Sequence, residues 1–285
     1  MSKKKFIKKA SPYQKKKEAD VAGKKTKIQN IIAVTGKAKP KGSRAAESNL
    51  VRLNKFIANS GVCSRREADV LIASGVIQVN GKIVTELGTK INPTDVVLYN
   101  GEKLKAEKKV YVLLNKPKDT ITTAIDPQGR RTVIDLVKLK GNQRVFPVGR
   151  LDRNTTGLLL LTNDGELAKK LTHPRHGVRK IYHAQLDKAL TKSDMAEILQ
   201  GVTIDDEKVV PDAIDYSGKS NDKTHVGIEL HSGQNRVVRR IFEHFGYKVL
   251  KLDRVMFAGL TKKDIPRGHW RYLAEKEVAF LMMIQ

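Results

Sequence analysis

Four consecutive leucines, Leu158–Leu161, follow Thr155-Thr156-Gly157 and precede Asn163-Asp164-Gly165. The run is long enough for a buried strand and too short to span a membrane. Its flanks read as a turn into the strand, an end signal, and a cap for a helix starting near Glu166. Upstream, Leu53, Phe56 and Ile57 fall at helical spacing, and Gly61 can stop that helix. Ser64 with Glu67 forms a capping-box start for a second helix, whose apolar face is Ala68, Leu71 and Ile72. Val76–Val79, Asn80-Gly81 and Lys82–Val84 read as a hairpin, and Asp95–Tyr99 as a further strand. Glu102–Lys109 is charged and aperiodic, which predicts a linker. Val110–Leu114 is a buried strand, Asp126–Gly129 a turn, and Thr132–Asp135 the capped opening of a short helix. Val145–Val148 leads into the leucine unit.

Beyond that unit, Leu167 and Leu171 mark the apolar side of a helix ending at Thr172. Val178–Leu186 alternates as a strand, with Lys180 and Tyr182 on one face and Ile181 on the other. Thr191–Asp194 starts a helix running to about Gly201. Lys208–Tyr216, Thr224–Ser232 and Tyr247–Val255 read as strands. Between the last two, Arg236–Phe245 is a helix with two faces. Val237, Val238, Ile241, Phe242 and Phe245 lie on one side, while Arg236, Arg239, Arg240 and Glu243 form a stripe on the other. Three arginines with one acid repel unless an anion or carboxylate answers them. Pro266–Trp270 is a turn before a last short helix. The pattern divides the chain into a disordered basic tail (1–48), a small α/β module with linker (49–108) and a larger domain (109–285).

Charge sharpens this division. The chain of 285 residues carries a net charge of +25, and residues 1–48 hold 15 Lys and Arg against 3 Asp and Glu. With few large apolar residues, that tail cannot bury enough surface to fold alone, although Ile28–Thr35 has the makings of a short ordered piece. Its lysine clusters suit either phosphate contact or simple solubility. So basic a protein has a polyanion as its natural partner. No apolar stretch reaches the roughly 20 residues of a bilayer span, and no apolar run follows the N-terminal lysines as in a secretory signal. Nucleic acid is therefore the expected partner, and the cytoplasm the expected location. The single cysteine, Cys63, excludes an internal disulfide and a cysteine-based zinc site. His173 and His176 flank Pro174 with no adjacent acid, which suits a helix end better than a metal. No metal is expected.

The small module presents Arg52, Lys55, Arg65 and Arg66 on its helices. Val51-Arg-Leu-Asn-Lys-Phe-Ile-Ala, Ser64-Arg-Arg-Glu-Ala-Asp and Val79-Asn-Gly81 resemble the S4 type of RNA-binding domain. That resemblance implies that the first helix, the Ser64–Arg66 helix start and the hairpin with Asn80 hold RNA by phosphate and shape.

In the larger domain one carboxylate, Asp152, stands between Arg150 and Arg153 in Gly149-Arg-Leu-Asp-Arg-Asn-Thr-Thr-Gly157. Together with Val178–Tyr182, Gly233–Arg240 and the final Gly-His-Trp-Arg-Tyr-Leu, this stretch resembles the bacterial ribosomal RNA pseudouridine synthases of the RsuA family, nearer their large-subunit branch. The similarity covers about residues 50–275. Val237 and Ile241 depart from it, where glutamine and methionine are common. The resemblance implies an α+β architecture: the S4-like module, then a catalytic domain on a mixed, largely antiparallel sheet. It implies isomerisation of a flipped-out uridine to pseudouridine in ribosomal RNA or a pre-ribosomal particle, without a cofactor. A monomer is expected. Asp152 is then the essential carboxylate, acting as nucleophile or base, with Arg239 as its partner and Arg236 as the second choice. Tyr182 matches the active-site tyrosine. Lys180 is assigned to phosphate, Leu252 to packing under the base, and Arg150 and Arg153 to the RNA backbone. The competing reading is an inactive RNA-binding or ribosome-assembly protein of the same fold. Against it stands the presence together of Asp152, Tyr182 and Arg239.

Overall fold

The computed structural model describes residues 49–141, 143–218 and 222–284. The tail expected over 1–48, with Ile28–Thr35, lies outside the described residues. Strand β1 (Val51–Arg52) passes directly into α1 (Leu53–Asn59), and α2 spans Arg65–Ala73. The expected capping box is formed. The Glu67 N–H donates to Ser64 Oγ at 3.3 Å, and the Ser64 N–H to the Glu67 carboxylate at 2.7 Å. β2 (Ile77–Val79) and β3 (Lys82–Ile83) turn through Asn80-Gly81, with φ of 49° and 79°. Positive φ at both positions gives the turn that matches strand twist. β4 (Lys90–Ile91) pairs with β1. A second Asn-Gly turn at Asn100-Gly101 joins β5 (Val97–Tyr99) to β6 (Glu102–Lys103), completing a sheet in the order β3-β2-β5-β6. The segment expected as linker therefore begins as a strand. Leu104 is buried with Leu53, Ile57, Ile72 and Ile77 in this module's core.

The larger sheet begins with β7 (Tyr111–Lys116), β8 (Phe146–Pro147) and β9 (Thr156–Thr162). Helix α3 (Gly165–Thr172) starts where Asp164 Oδ1 accepts the N–H groups of Glu166 and Leu167. β10 (Lys180–Leu186) and α4 (Lys192–Gln200) follow, the helix capped by Thr191. Next come β11 (Val202–Ile204), β12 (Glu207–Val209), β13 (Ala213–Tyr216) and β14 (His225–Leu230). Helix α5 (Val237–His244) precedes β15 (Val249–Phe257), β16 (Leu260–Thr261), β17 (Trp270–Tyr272) and α6 (Glu275–Met283). The strand order is β13-β14-β10-β15-β9-β7-β17, with β16 on β15 and β8 on β9. Of its strand pairs among the described residues, β9–β15 alone is parallel, so the sheet is mixed and largely antiparallel.

Both faces of β9 are covered, which is why its sequence is continuously apolar. Leu158 and Leu160 pack with Leu113, Leu167 and Leu171, and Leu159 and Leu161 with Val112, Leu114 and Val133. Each of the four is fully buried, contributing about 2 kcal/mol. In the other half of the sheet, α5 lays Val238, Ile241 and Phe242 against Ala184, Val226, Ile228 and Leu252. The opposite face of these strands is part-exposed at His183, His225 and Asp253, which gives the alternation seen in sequence.

Two expected elements take another form. Thr132–Asp135 closes one turn and stops. Asp135 Oδ2 accepts the Thr132 N–H at 2.7 Å, but the Val133 N–H goes to Ile121 O at 2.9 Å. That bridge, with Val133 and Val137 drawn into the core, pulls the chain out of helical register. Lys208–Tyr216 is two strands, broken at Val210-Pro211-Asp212, because proline has no N–H for a sheet ladder. Its first part, as β12, pairs with β11 through Asp205-Asp206, at φ of 51° and 64°.

Candidate active site

Asp152 lies in the turn that feeds β9, at a cleft of about 440 Å³. Gly157 allows the turn to enter the sheet: at φ +105°, a Cβ there would sit 2.2 Å from Arg254 O. Beneath the turn Lys116, fully buried at the end of β7, donates to the carbonyls of Thr155 (2.8 Å), Pro117 and Asp152 (3.1 Å each) and Arg153 (3.2 Å). Burial pushes its ammonium down to about 8, while the Asp152 and Asp119 carboxylates pull it up. Thr122 Oγ1 donates to Leu151 O at 2.7 Å and accepts the Leu151 N–H at 3.2 Å. The residues around Asp152 are thus held by their backbone from two sides.

Two guanidiniums face the carboxylate, at 3.8 Å from Arg236 Nη1 and 4.0 Å from Arg239 Nε. Arg239 is nearly buried and anchored by Nη1 on Val249 O at 2.7 Å. Burial and the neighbouring Arg236 lower its proton affinity, and Asp152 and Glu243 oppose them. Arg236 stands just before α5, at φ 52°, and also approaches Glu243 at 3.7 Å. The three-arginine stripe therefore does not act together: Arg240 instead pairs with Asp205 in the β11–β12 turn.

Tyr182 and Lys180 share a face of β10 and line the cleft, as does Leu252 of β15. Lys180 donates to His231 O at 2.8 Å. Burial and Arg254 push it down to about 8, with Asp212 opposing. Arg150 lines the mouth and is exposed, whereas Arg153 pairs with Asp119 at 3.3 Å. Val237 and Ile241 are buried on the apolar side of α5, and Val237 reaches the cleft wall. His173 and His176 stay in a single turn, where their ring nitrogens accept N–H groups of Arg175.

In the small module Arg52, Arg65 and Arg66 are exposed. Lys55 is ion-paired to Glu166. Ser64 caps α2, and the Asn80 amide is occupied by Asp95 and the Val96 N–H, just before β5. Sequence reasoning passed over Lys116 and Arg254. The signal for Lys116 was a cation closing an otherwise apolar strand.

A carboxylate with two arginines within 4.0 Å, and with a tyrosine and a leucine lining the same cleft of a mixed sheet, has the make-up of an enzyme site, and it is joined to a small basic module. Comparison with known proteins gives the class. The family model for RNA pseudouridylate synthase matches residues 110–244, and that for the S4 domain matches residues 51–97. Ribosomal large subunit pseudouridine synthase B of Bacillus subtilis is 42% identical, over 80% of this chain and 93% of that protein. The dual-specificity RNA pseudouridine synthase RluF of Escherichia coli K12 is 38% identical, over 82% of this chain and 79% of that protein. A pseudouridylate synthase crystal structure superposes with a TM-score of 0.59 at 27% identity, covering 81% of this chain and 99% of that one. The chain belongs to the RNA pseudouridine synthases, with an S4 domain preceding the synthase domain.

Proposed function

We propose that this enzyme converts a uridine of ribosomal RNA, in the large subunit, to pseudouridine, with Asp152 as the essential carboxylate. The observation that carries the assignment is the Asp152 carboxylate held between Arg236 and Arg239 in the cleft that Tyr182 and Leu252 line. A uracil ring inside a duplex or a stacked loop cannot reach such a cleft, so the target nucleotide flips out. The flipped uracil lies against Tyr182, over Leu252. Asp152 then either adds to C1′ of the ribose or takes the C2′ proton. The base detaches, turns, and rejoins through C5. Arg236 and Arg239 compensate the carboxylate's charge and fix its direction, while Lys116 fixes the turn that carries it.

Affinity comes from outside the cleft. Arg52, Arg65 and Arg66, with Lys55 and the hairpin at Asn80, form the RNA face of residues 49–108. Arg150 and Arg153 grip the backbone around the extruded nucleotide, and Lys180 faces the substrate in the cleft. Residues 109–285 do the chemistry. The similarity to the Bacillus large-subunit enzyme supports that subunit as target. The protein acts in the cytoplasm, as a monomer, on rRNA or a pre-ribosomal particle, and needs no cofactor.

The test is pseudouridine mapping of ribosomal RNA from cells lacking the gene, complemented with wild type or Asp152→Asn. One site is expected to disappear and to return only with wild type. The purified Asp152→Asn protein should bind the RNA within about threefold of wild type. Restoration by Asp152→Asn, or no lost site, would overturn the assignment.

A further inference from the structure

The cleft carries a second pair of cations for which the carboxylate's own needs give no reason. Arg254 of β15 is 3% exposed. Its Nε–H donates to Leu158 O at 2.8 Å, and its guanidinium lies 4.6 Å from the Phe257 ring centroid. Among the described residues its Nη2 has no hydrogen-bond partner. The neighbouring carboxylates are committed elsewhere: Asp152 to Arg236 and Arg239, and Asp253, its chain neighbour, to Lys262 and Arg267. Lys180, on the adjoining β10, is satisfied by the carbonyls of His231 and Ser232 and by no carboxylate. Arg254 lies directly across from Tyr182 in the strand pairing and two residues beyond Leu252, on the same face of β15. Asp152, Tyr182, Leu252, Lys180 and Arg254 all border one cavity.

A buried guanidinium without a carboxylate is costly to keep. One with a free donor beside a reaction cleft is suited to charge that arrives with the substrate. Resting on the reading that a uridine enters this cleft, we propose that Arg254, assisted by Lys180, holds the carbonyl oxygens of uracil and stabilises the base as it departs as an anion. When the C1′–N1 bond breaks, its electron pair stays with the base and spreads from N1 onto O2 and O4. The sugar is balanced by Asp152. Either its carboxylate forms an ester at C1′, or it takes the C2′ proton and leaves a C1′=C2′ double bond. After the base turns, C5 bonds to C1′, and Asp152 is released or returns the C2′ proton. The C5 proton then leaves and N1 gains one, so the net change is an isomerisation. Both routes pass through the same base anion, and the two cations serve either. They also keep the detached base in the cleft while it turns.

The test compares full-length wild type, Arg254→Gln and Lys180→Met on an rRNA fragment carrying uridine or 5-fluorouridine at the target. Fluorine withdraws electrons and makes the departing base a weaker base, so it depends less on cations. Single-turnover formation of the C5–C1′ bonded nucleoside is read by nucleoside chromatography, and RNA affinity separately; with fluorine on C5 there is no proton to lose, so the rejoined 5-fluorouracil adds water across N1=C6 and is scored as that hydrate. Arg254→Gln is expected to lose about 100-fold on uridine and about tenfold or less on 5-fluorouridine, with Kd unchanged within about threefold. Lys180→Met should show the same selectivity with a smaller loss. Equal losses on the two RNAs, or a loss confined to Kd, would overturn the proposal. If Arg254→Gln fails to melt cooperatively, Lys180→Met decides by the same criterion. Wild-type turnover separates the two claims: a wild type that forms no pseudouridine refutes the assigned reaction and the role of Arg254 with it, whereas an active wild type with equal losses on the two RNAs refutes that role alone.

Discussion

Replacing Lys116 by methionine keeps the length of the side chain and removes its charge. The buried ammonium holds four carbonyls at 2.8–3.2 Å, three of them from the turn Asp152–Thr155. Its affinity for a proton falls from 10.5 to about 8 on burial, so keeping it charged costs about 3 kcal/mol. Hydrogen bonds to a charged group return about 1.5–3 kcal/mol each, and an ammonium has three protons to give. Three such bonds outweigh that cost by about 1.5–6 kcal/mol. The methionine variant is therefore expected to lose about that much stability, at about 2–4 °C of Tm per kcal/mol for a domain of this size. Activity should suffer as well. A turn freed from its anchor misplaces the carboxylate by about 1 Å, enough for about a 100-fold fall in kcat. Thermal melting and single-turnover assays with separate Kd measurement give the two numbers. A variant with wild-type kcat would refute the positioning role. A variant that loses fold and RNA binding together would make Lys116 a pillar of the core instead. The pH dependence has a definite sign. Between about 8 and 10.5 the unfolded chain holds this proton and the folded chain does not, so this group's contribution to stability rises with pH across that window. The methionine variant should lack that component of the stability profile.

Gly157→Ala should cost at least about 3 kcal/mol in denaturant unfolding, because both φ and the approach to Arg254 O forbid a Cβ; a neutral result would mean that β9 and β15 separate easily. Arg239→Lys should lower kcat more than Arg236→Lys, since Arg239 spans Asp152 and Val249 O while Arg236 is half exposed; single-turnover rates rank the two, and the reverse order would make Arg236 the main partner. Removing residues 1–48, with 15 Lys and Arg against 3 Asp and Glu, should weaken RNA binding and flatten the fall of log K with log salt while leaving activity measurable. Unchanged affinity at every salt concentration would deny the tail a role in binding.

Where one local rule governs, the sequence could be read closely. Ser64 and Glu67 cap α2, and Asn80-Gly81 turns the first hairpin, because each depends on a few adjacent residues. The leucines of β9 announced burial on both faces. Failure came where a distant partner decided the outcome. Thr132–Asp135 has the opening of a helix, and only Ile121, carried by the chain before the turn, draws Val133 away. The stripe of Arg236, Arg239 and Arg240 is sound helical geometry. Its partners, Asp152 and Asp205, sit on separate loops that spacing along the helix does not reveal. Lys116 and Arg254 are the clearest cases. In sequence each is one more cation in a very basic chain, and their meaning lies in their burial.

That burial separates two uses of positive charge. In the proposed function the exposed cations at Arg52, Arg65, Arg66 and Arg150 meet an RNA backbone through water and salt, so their attraction is long-ranged, screened and tolerant of sequence. Inside the cleft, Arg239, Arg254 and the underlying Lys116 are buried and Lys180 is part-buried, and they are held by carbonyls of β9, β15, the segment after β14 and the turn before β9. Such charges are fixed in direction and weakly screened, and they cannot be lost singly without disturbing a strand or a turn. In the proposed reaction they surround one carboxylate while negative charge moves from Asp152 toward the base and back. A site with as many acids as bases would bind the free RNA no worse, but it would have nothing to oppose charge on the detached uracil. On the proposed reading, the excess of fixed cations over carboxylates in this cleft serves the reaction rather than RNA affinity.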